Sequence, residues 1–124
     1  MPPILLTALF GAVGVLCRYA LDRYFALALI PHFPASTLSI NVVGSFAIGV
    51  VFVLGTERAM LTPETALAIS VGFLGGFTTF SAFSLQVIQL IERKQITMAV
   101  AYAVGSPILG ISAAFAGVKL GRYF

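Results

Sequence analysis

Four stretches of this chain are each apolar over the length of a bilayer, and that pattern decides what it can fold into. They run from about residue 3 to 30, 37 to 55, 66 to 91 and 97 to 119. Each reaches the ~20 residues that a bilayer-crossing helix requires. With 9% charged and 60% hydrophobic residues in 124, the chain falls far below the charge of a soluble domain, which is about a quarter. A mean hydropathy of +1.07 excludes disorder as well. The expected fold is a single all-α membrane domain of four transmembrane helices, too small to enclose a pathway alone and therefore part of an oligomer. The apolar run Ile4 to Leu16 lacks a basic leader and a cleavage site, so it is expected to be retained as the first half of helix one.

The breaks between spans carry their own signals. Pro31-His32-Phe33-Pro34-Ala35 separates spans one and two, and Ser36 is the expected N-cap of the second. Thr62 followed by Pro63 predicts the start of span three, because proline at the first helical position needs no amide partner. Arg18 and Asp22, four apart, should share one side of helix one, as should Leu21 and Phe25. Span three holds Gly72, Gly75 and Gly76 and then Thr78, Thr79, Ser81 and Ser84. Two readings fit this run. Glycines let helices pack closely in membranes. Adjacent glycines followed by hydroxyls at mid-span also suit a broken helix, whose backbone must be buried in protein or line an aqueous cavity.

Charge balance bears on orientation. Arg58, Lys119 and Arg122 fall on the side of the termini, and Arg23, Arg93 and Lys94 on the other, with Arg18 deeper. The Lys/Arg bias that fixes orientation is almost absent, which leaves open either other determinants or insertion in both directions as an antiparallel homodimer. The basic residues sit near span ends, as headgroup anchors, and no stretch interleaves them with aromatics as a nucleic-acid surface would.

Polar groups inside spans are costly, so each is a candidate. Thr37, Asn41 and Ser45 make a stripe on span two, and Tyr102 and Ser106 are four apart on span four. Interhelical hydrogen bonding is the plain reading of both, and Tyr102 also suits the interfacial belt. Phe80 and Phe83 lie among hydroxyls on span three. No Glu lies within an apolar span, Asp22 sits near the end of span one, and the lone His32 falls in a loop. Cys17 is the only cysteine, so no internal disulfide forms. Without a catalytic set or metal motif an enzyme is not expected. The inventory is mostly donors: an amide, hydroxyls and the Arg18 guanidinium. It favours a small anion.

Three segments together resemble the small bacterial fluoride channels of the Fluc or CrcB family. They are Gly11 to Leu21, then Ser36-Thr37-Leu38-Ser39-Ile40-Asn41-Val42-Val43-Gly44-Ser45-Phe46, and Gly72-Phe73-Leu74-Gly75-Gly76-Phe77-Thr78-Thr79-Phe80-Ser81-Ala82-Phe83-Ser84. The resemblance implies an antiparallel, dual-topology homodimer in the bacterial inner membrane, with two pores and passive export of fluoride. It assigns Asn41, Phe80 and Phe83 to the pore and matches Tyr102 and Ser106 to a polar track. Thr37 and Ser81 fall within its matching segments and join the expected fluoride path. Gly75 and Thr78 are implied as backbone-carbonyl ligands of a central structural Na⁺, and Arg18 matches a basic residue of structural or electrostatic role. Cys17, Ala82 and Gln86 depart from the family pattern, where Gly, a hydroxyl and an acidic residue are common. The rival readings are a proton-coupled drug exporter, which the missing carboxylate disfavours, and a non-conducting structural subunit.

Overall fold

The computed structural model describes residues 1–26 and 33–124; Pro31, His32 and the expected end of span one at 27–30 lie outside them. Helix α1 spans Pro3–Ala26 and α2 spans Ala35–Phe52, extended by a π-helical turn, Val53–Glu57. Helix α3, Pro63–Leu67, passes through a π-helical stretch, Ala68–Leu74, into the short α4, Gly75–Phe77. Helix α5 covers Ser81–Glu92 and α6 covers Ile96–Gly121. Among the described residues there is no strand. Four helical segments are long and apolar enough to cross a bilayer: Pro3–Ala26, Ala35–Glu57, Pro63–Glu92 and Ile96–Gly121.

Glycine sets the packing. A Cβ on Gly14 would stand 2.1 Å from the Phe73 carbonyl oxygen, and one on Gly76 would stand 2.5 Å from that of Gly11. One on Gly72 would meet the Thr7 carbonyl at 2.5 Å. Helix α1 therefore lies against the Ala68–Phe77 segment backbone to backbone, the close-packing geometry that small residues permit in membranes. The same device joins α2 to α6: Gly117 faces the Phe46 carbonyl at 2.0 Å from its would-be Cβ, and Gly49 faces that of Ala114 at 2.2 Å. Pro107 lies inside α6 and removes one amide from its ladder.

The local start signals fare differently. Thr62 caps α3, its Oγ1 accepting from the Thr65 amide at 3.2 Å, with Pro63 at the first position as expected. Ser36 is not the cap of α2. The helix begins at Ala35 after Pro34, and the Ser36 hydroxyl donates to Asp22 on α1 instead. Arg18 and Asp22 do not pair with each other, because each has a tertiary partner. Arg18 Nε reaches the Gly76 carbonyl at 3.2 Å, while Asp22 holds Ser36. Among the described residues the one ion pair is Arg122 with Glu57, at 2.8 Å, and Arg58 donates to the Arg122 carbonyl at 3.0 Å. These contacts tie the end of α6 to the loop after α2.

Candidate functional site

Between α4 and α5 the chain leaves helical geometry. Thr78 is extended, with φ −84° and ψ 162°, and helix resumes at Ser81. The hydrogen bonds here follow a definite substitution. In an unbroken α-helix the Thr79 amide would close on the Gly75 carbonyl. It donates to Asn41 Oδ1 at 2.9 Å instead, and Asn41 Nδ2 returns a bond to the Thr79 carbonyl, also 2.9 Å. The Ala82 amide, which would close on the Thr78 carbonyl, donates to Thr79 Oγ1 at 3.2 Å. Gly75 and Thr78 thus lose the amides that would occupy their carbonyls. The Gly76 carbonyl, whose helical partner would be Phe80, is taken by Arg18. Three side chains, on α1, α2 and the turn itself, do the work of the missing helical bonds.

The neighbouring glycines face opposite ways. Gly76 is pressed against α1, whereas Gly75 is exposed and a Cβ there would meet nothing closer than the Ser70 carbonyl at 3.9 Å. Gly75 and Thr78 line a groove of about 310 Å³ with Asn41, Gly44, Ser70 and Thr79. A second groove, of about 300 Å³, carries Asn41, Ser45, Phe80, Phe83, Ser106 and Pro107. Asn41, Ser45 and Phe80 border both. The two grooves flank one wall.

Phe80 is 78% exposed, its ring 5.6 Å from that of Phe83, which in turn meets Tyr102 edge-on at 5.0 Å. Beyond them a hydrogen-bonded chain crosses three helices. The Tyr102 hydroxyl donates to Gln86 Oε1 and Gln86 Nε2 donates to Thr37 Oγ1, both at 2.8 Å. Tyr102 and Thr37 are each only 3% exposed. Burial is satisfied here by bonding, as polar groups in a bilayer require. Tyr102 is thus a bundle residue rather than a headgroup-belt one.

Of the candidates, Asn41, Phe80, Phe83 and Ser106 are brought to one groove, with Tyr102 and Thr37 behind Phe83. Ser81 stands apart on the exposed side of the turn, its hydroxyl 3.4 Å from that of Thr79. Arg18 contacts the Gly76 carbonyl rather than either groove. Gln86, first noticed only as a departure, proves to be the link between Thr37 and Tyr102; an amide, with both a donor and an acceptor, was the signal available for that role. Thr79 was also not among the site candidates. Its part is played largely by backbone atoms, which leave no mark on a sequence.

A bundle with a donor-rich seam and a non-helical turn at its middle, carried by four helices long and apolar enough to cross a bilayer, defines the class: a multi-pass helical membrane protein. The chain belongs to the family described as CrcB-like protein, Camphor Resistance (CrcB), whose profile matches residues 5–118. It is 45% identical over 121 residues to a fluoride-specific ion channel of Thermus thermophilus, covering 98% of this chain and 96% of the relative. It is 41% identical over 119 residues to one of Agrobacterium fabrum, covering 96% and 95%. A fluoride-specific ion channel of Citrifermentans bemidjiense is 34% identical over 122 residues, with 98% of both chains covered. These relatives are named as ion channels, not enzymes, and they are bacterial.

Proposed function

We propose that this chain forms a fluoride-selective channel giving passive, electrodiffusive export of fluoride across the bacterial inner membrane. The observation that carries the reading is the groove of Asn41, Ser45, Phe80, Phe83 and Ser106, together with membership of a family whose relatives bear that name. Fluoride is small and tightly hydrated, so a narrow path must replace water with close donors. The second N–H of Asn41 and the hydroxyls of Ser45 and Ser106 are such donors. Aromatic rings carry positive edges, which gives Phe80 and Phe83 a means of meeting an anion. The Thr37 hydroxyl, accepting from Gln86, keeps its own proton to donate, while the Tyr102 proton is committed to Gln86 and Ser81 lines neither groove. Rejection of larger anions follows from the pore's width and donor geometry.

The working unit in this reading is an antiparallel homodimer with two pores, its third span broken at mid-membrane. Three features support it: both grooves are open on one side, the basic residues balance across the two faces, and helical geometry lapses at Thr78–Phe80. A central structural Na⁺ fits the donors available. Gly75 and Thr78, whose carbonyls have lost their helical amides, line the open groove, and carbonyl oxygen is a hard donor suited to a hard cation. Bound there, Na⁺ would supply fixed positive charge beside the anion path.

The test is efflux from liposomes loaded with fluoride, followed by a fluoride-selective electrode after valinomycin is added, with a chloride-loaded set in parallel. Ionophore-dependent fluoride release with little chloride release is the expected result. Fluoride leaving no faster than from protein-free vesicles, with protein shown to be folded, rules the channel out and returns the exporter to consideration.

A further inference from the structure

We propose that Asn41 is a positioning residue for the pore as well as a donor in it, because its amide holds the Thr79 peptide out of the helix. Its orientation is forced. The Thr79 N–H can only donate, so Oδ1 must face it, and Nδ2 must then face the Thr79 carbonyl, as found at 2.9 Å each. Two of the amide's bonds are thereby committed to backbone and one N–H is left for an ion. The clasp has consequences on both sides. It diverts the Thr79 amide from the Gly75 carbonyl, and it fixes the peptide that leads directly into Phe80. Thr79 Oγ1 then starts α5 by accepting from Ala82. Without the clasp the Thr79 N–H is free to return to Gly75, which would reel the turn back into helix and carry Phe80 round with it.

A carboxyl group at this position separates the positioning role from simple donation. Ionised, Asp can accept from the Thr79 amide with one oxygen, but its other oxygen confronts the Thr79 carbonyl, acceptor against acceptor. Protonated, its C=O accepts and its O–H donates, and both bonds of the amide are reproduced. The proton comes from solvent and no other group need change. The Asn41→Asp variant therefore loses the clasp when ionised and regains it when protonated, recovering part of the activity because it still lacks the second N–H, whereas Asn41→Leu, of similar size with nothing to titrate, is inactive throughout. A partly buried carboxyl facing a carbonyl acceptor holds its proton to a higher pH than a free one.

The inference rests on the channel reading only for one of its two measurements. The first is fluoride efflux at about pH 5 and about pH 7.5, corrected for protein-free vesicles at each pH, using the full chain reconstituted in liposomes. Asn41→Asp should gain at least about threefold in rate at the lower pH, where more of its carboxyl is protonated, while wild type changes by under about twofold. The second is thermal stability in detergent across the same range. A carboxyl that holds its proton more tightly folded than unfolded adds stability at low pH and loses it as pH rises, so the Asn41→Asp melting temperature should fall against wild type as pH is raised. If wild type carries no fluoride, the channel reading fails, and the stability profile still judges the clasp. An Asn41→Asp protein indifferent to pH in stability and flux overturns the proposal. So does one that cannot be recovered folded even at the lower pH, since its protonated side chain matches the amide in shape and in both bonds to the Thr79 backbone.

Discussion

Gly44 on α2 is the point where the second motif touches the third, and the cost of filling it can be worked from the contacts. A Cβ on Gly44 would stand 2.3 Å from Thr78 Cγ2, with Phe77 Cδ2 at 3.7 Å. Carbon atoms settle at about 3.5–4.0 Å, so more than about 1 Å of relief is required. Thr78 cannot supply it freely. Its Oγ1 donates to the Leu74 carbonyl at 2.9 Å and its amide to the same oxygen at 3.0 Å. Swinging Cγ2 aside carries Oγ1 off that bond, a loss of about 1 kcal/mol, and leaving the rotamer costs about 0.5–1.5 kcal/mol more. Gly44→Ala should therefore destabilise the protein by about 2 kcal/mol, within the usual range for overpacking. Thr78→Ser removes Cγ2 and keeps both the hydroxyl and the backbone carbonyl, so it should relieve the clash. In a double-mutant cycle read by unfolding in mixed micelles, Gly44→Ala with Thr78→Ser should recover most of the loss, a coupling of about 1–2 kcal/mol. Additivity within about 0.5 kcal/mol, the behaviour of distant sites, would refute the contact as the cause.

Phe80→Ile and Phe83→Ile should each cut fluoride efflux sharply while the protein still elutes as the wild-type species, because both keep bulk and lose the ring edge; unchanged efflux in both would remove the groove from the ion path. Gln86→Glu should preserve the link from Tyr102 to Thr37, since the Thr37 hydroxyl can reverse and donate, yet it should make efflux depend on pH. Wild-type efflux should be nearly flat between about pH 5.5 and 8, because neither groove is lined by a group that titrates there. Arg18→Gln should cost about 1–3 kcal/mol by stripping the Gly76 carbonyl of its partner, and Arg18→Lys should recover part of that in the same unfolding assay, because an ammonium can still donate to it.

How much of this was legible in the sequence depends on the range over which each signal acts. The four spans were, because the length of an apolar run is itself the requirement of the bilayer. The start of α3 was as well: Thr62 and Pro63 act on amides within one turn, and nothing distant competes for them. Ser36 was misread as a cap because Asp22, fourteen residues away, claims its hydroxyl. The same limit separates Gly75 from Gly76. As letters they are identical neighbours, yet Gly76 is pinned under α1 and Gly75 faces an open groove, a difference made by Gly11 and Arg18 on another span. Asn41 stood out as a polar residue in an apolar helix, but its partner is the Thr79 backbone, and a peptide group looks alike at every position. Side chains scattered over α1, α2 and the turn thus decide which carbonyls in the third span are occupied and which are left free. A sequence displays the side chains that do the occupying. The groups they set free emerge only once the helices are packed.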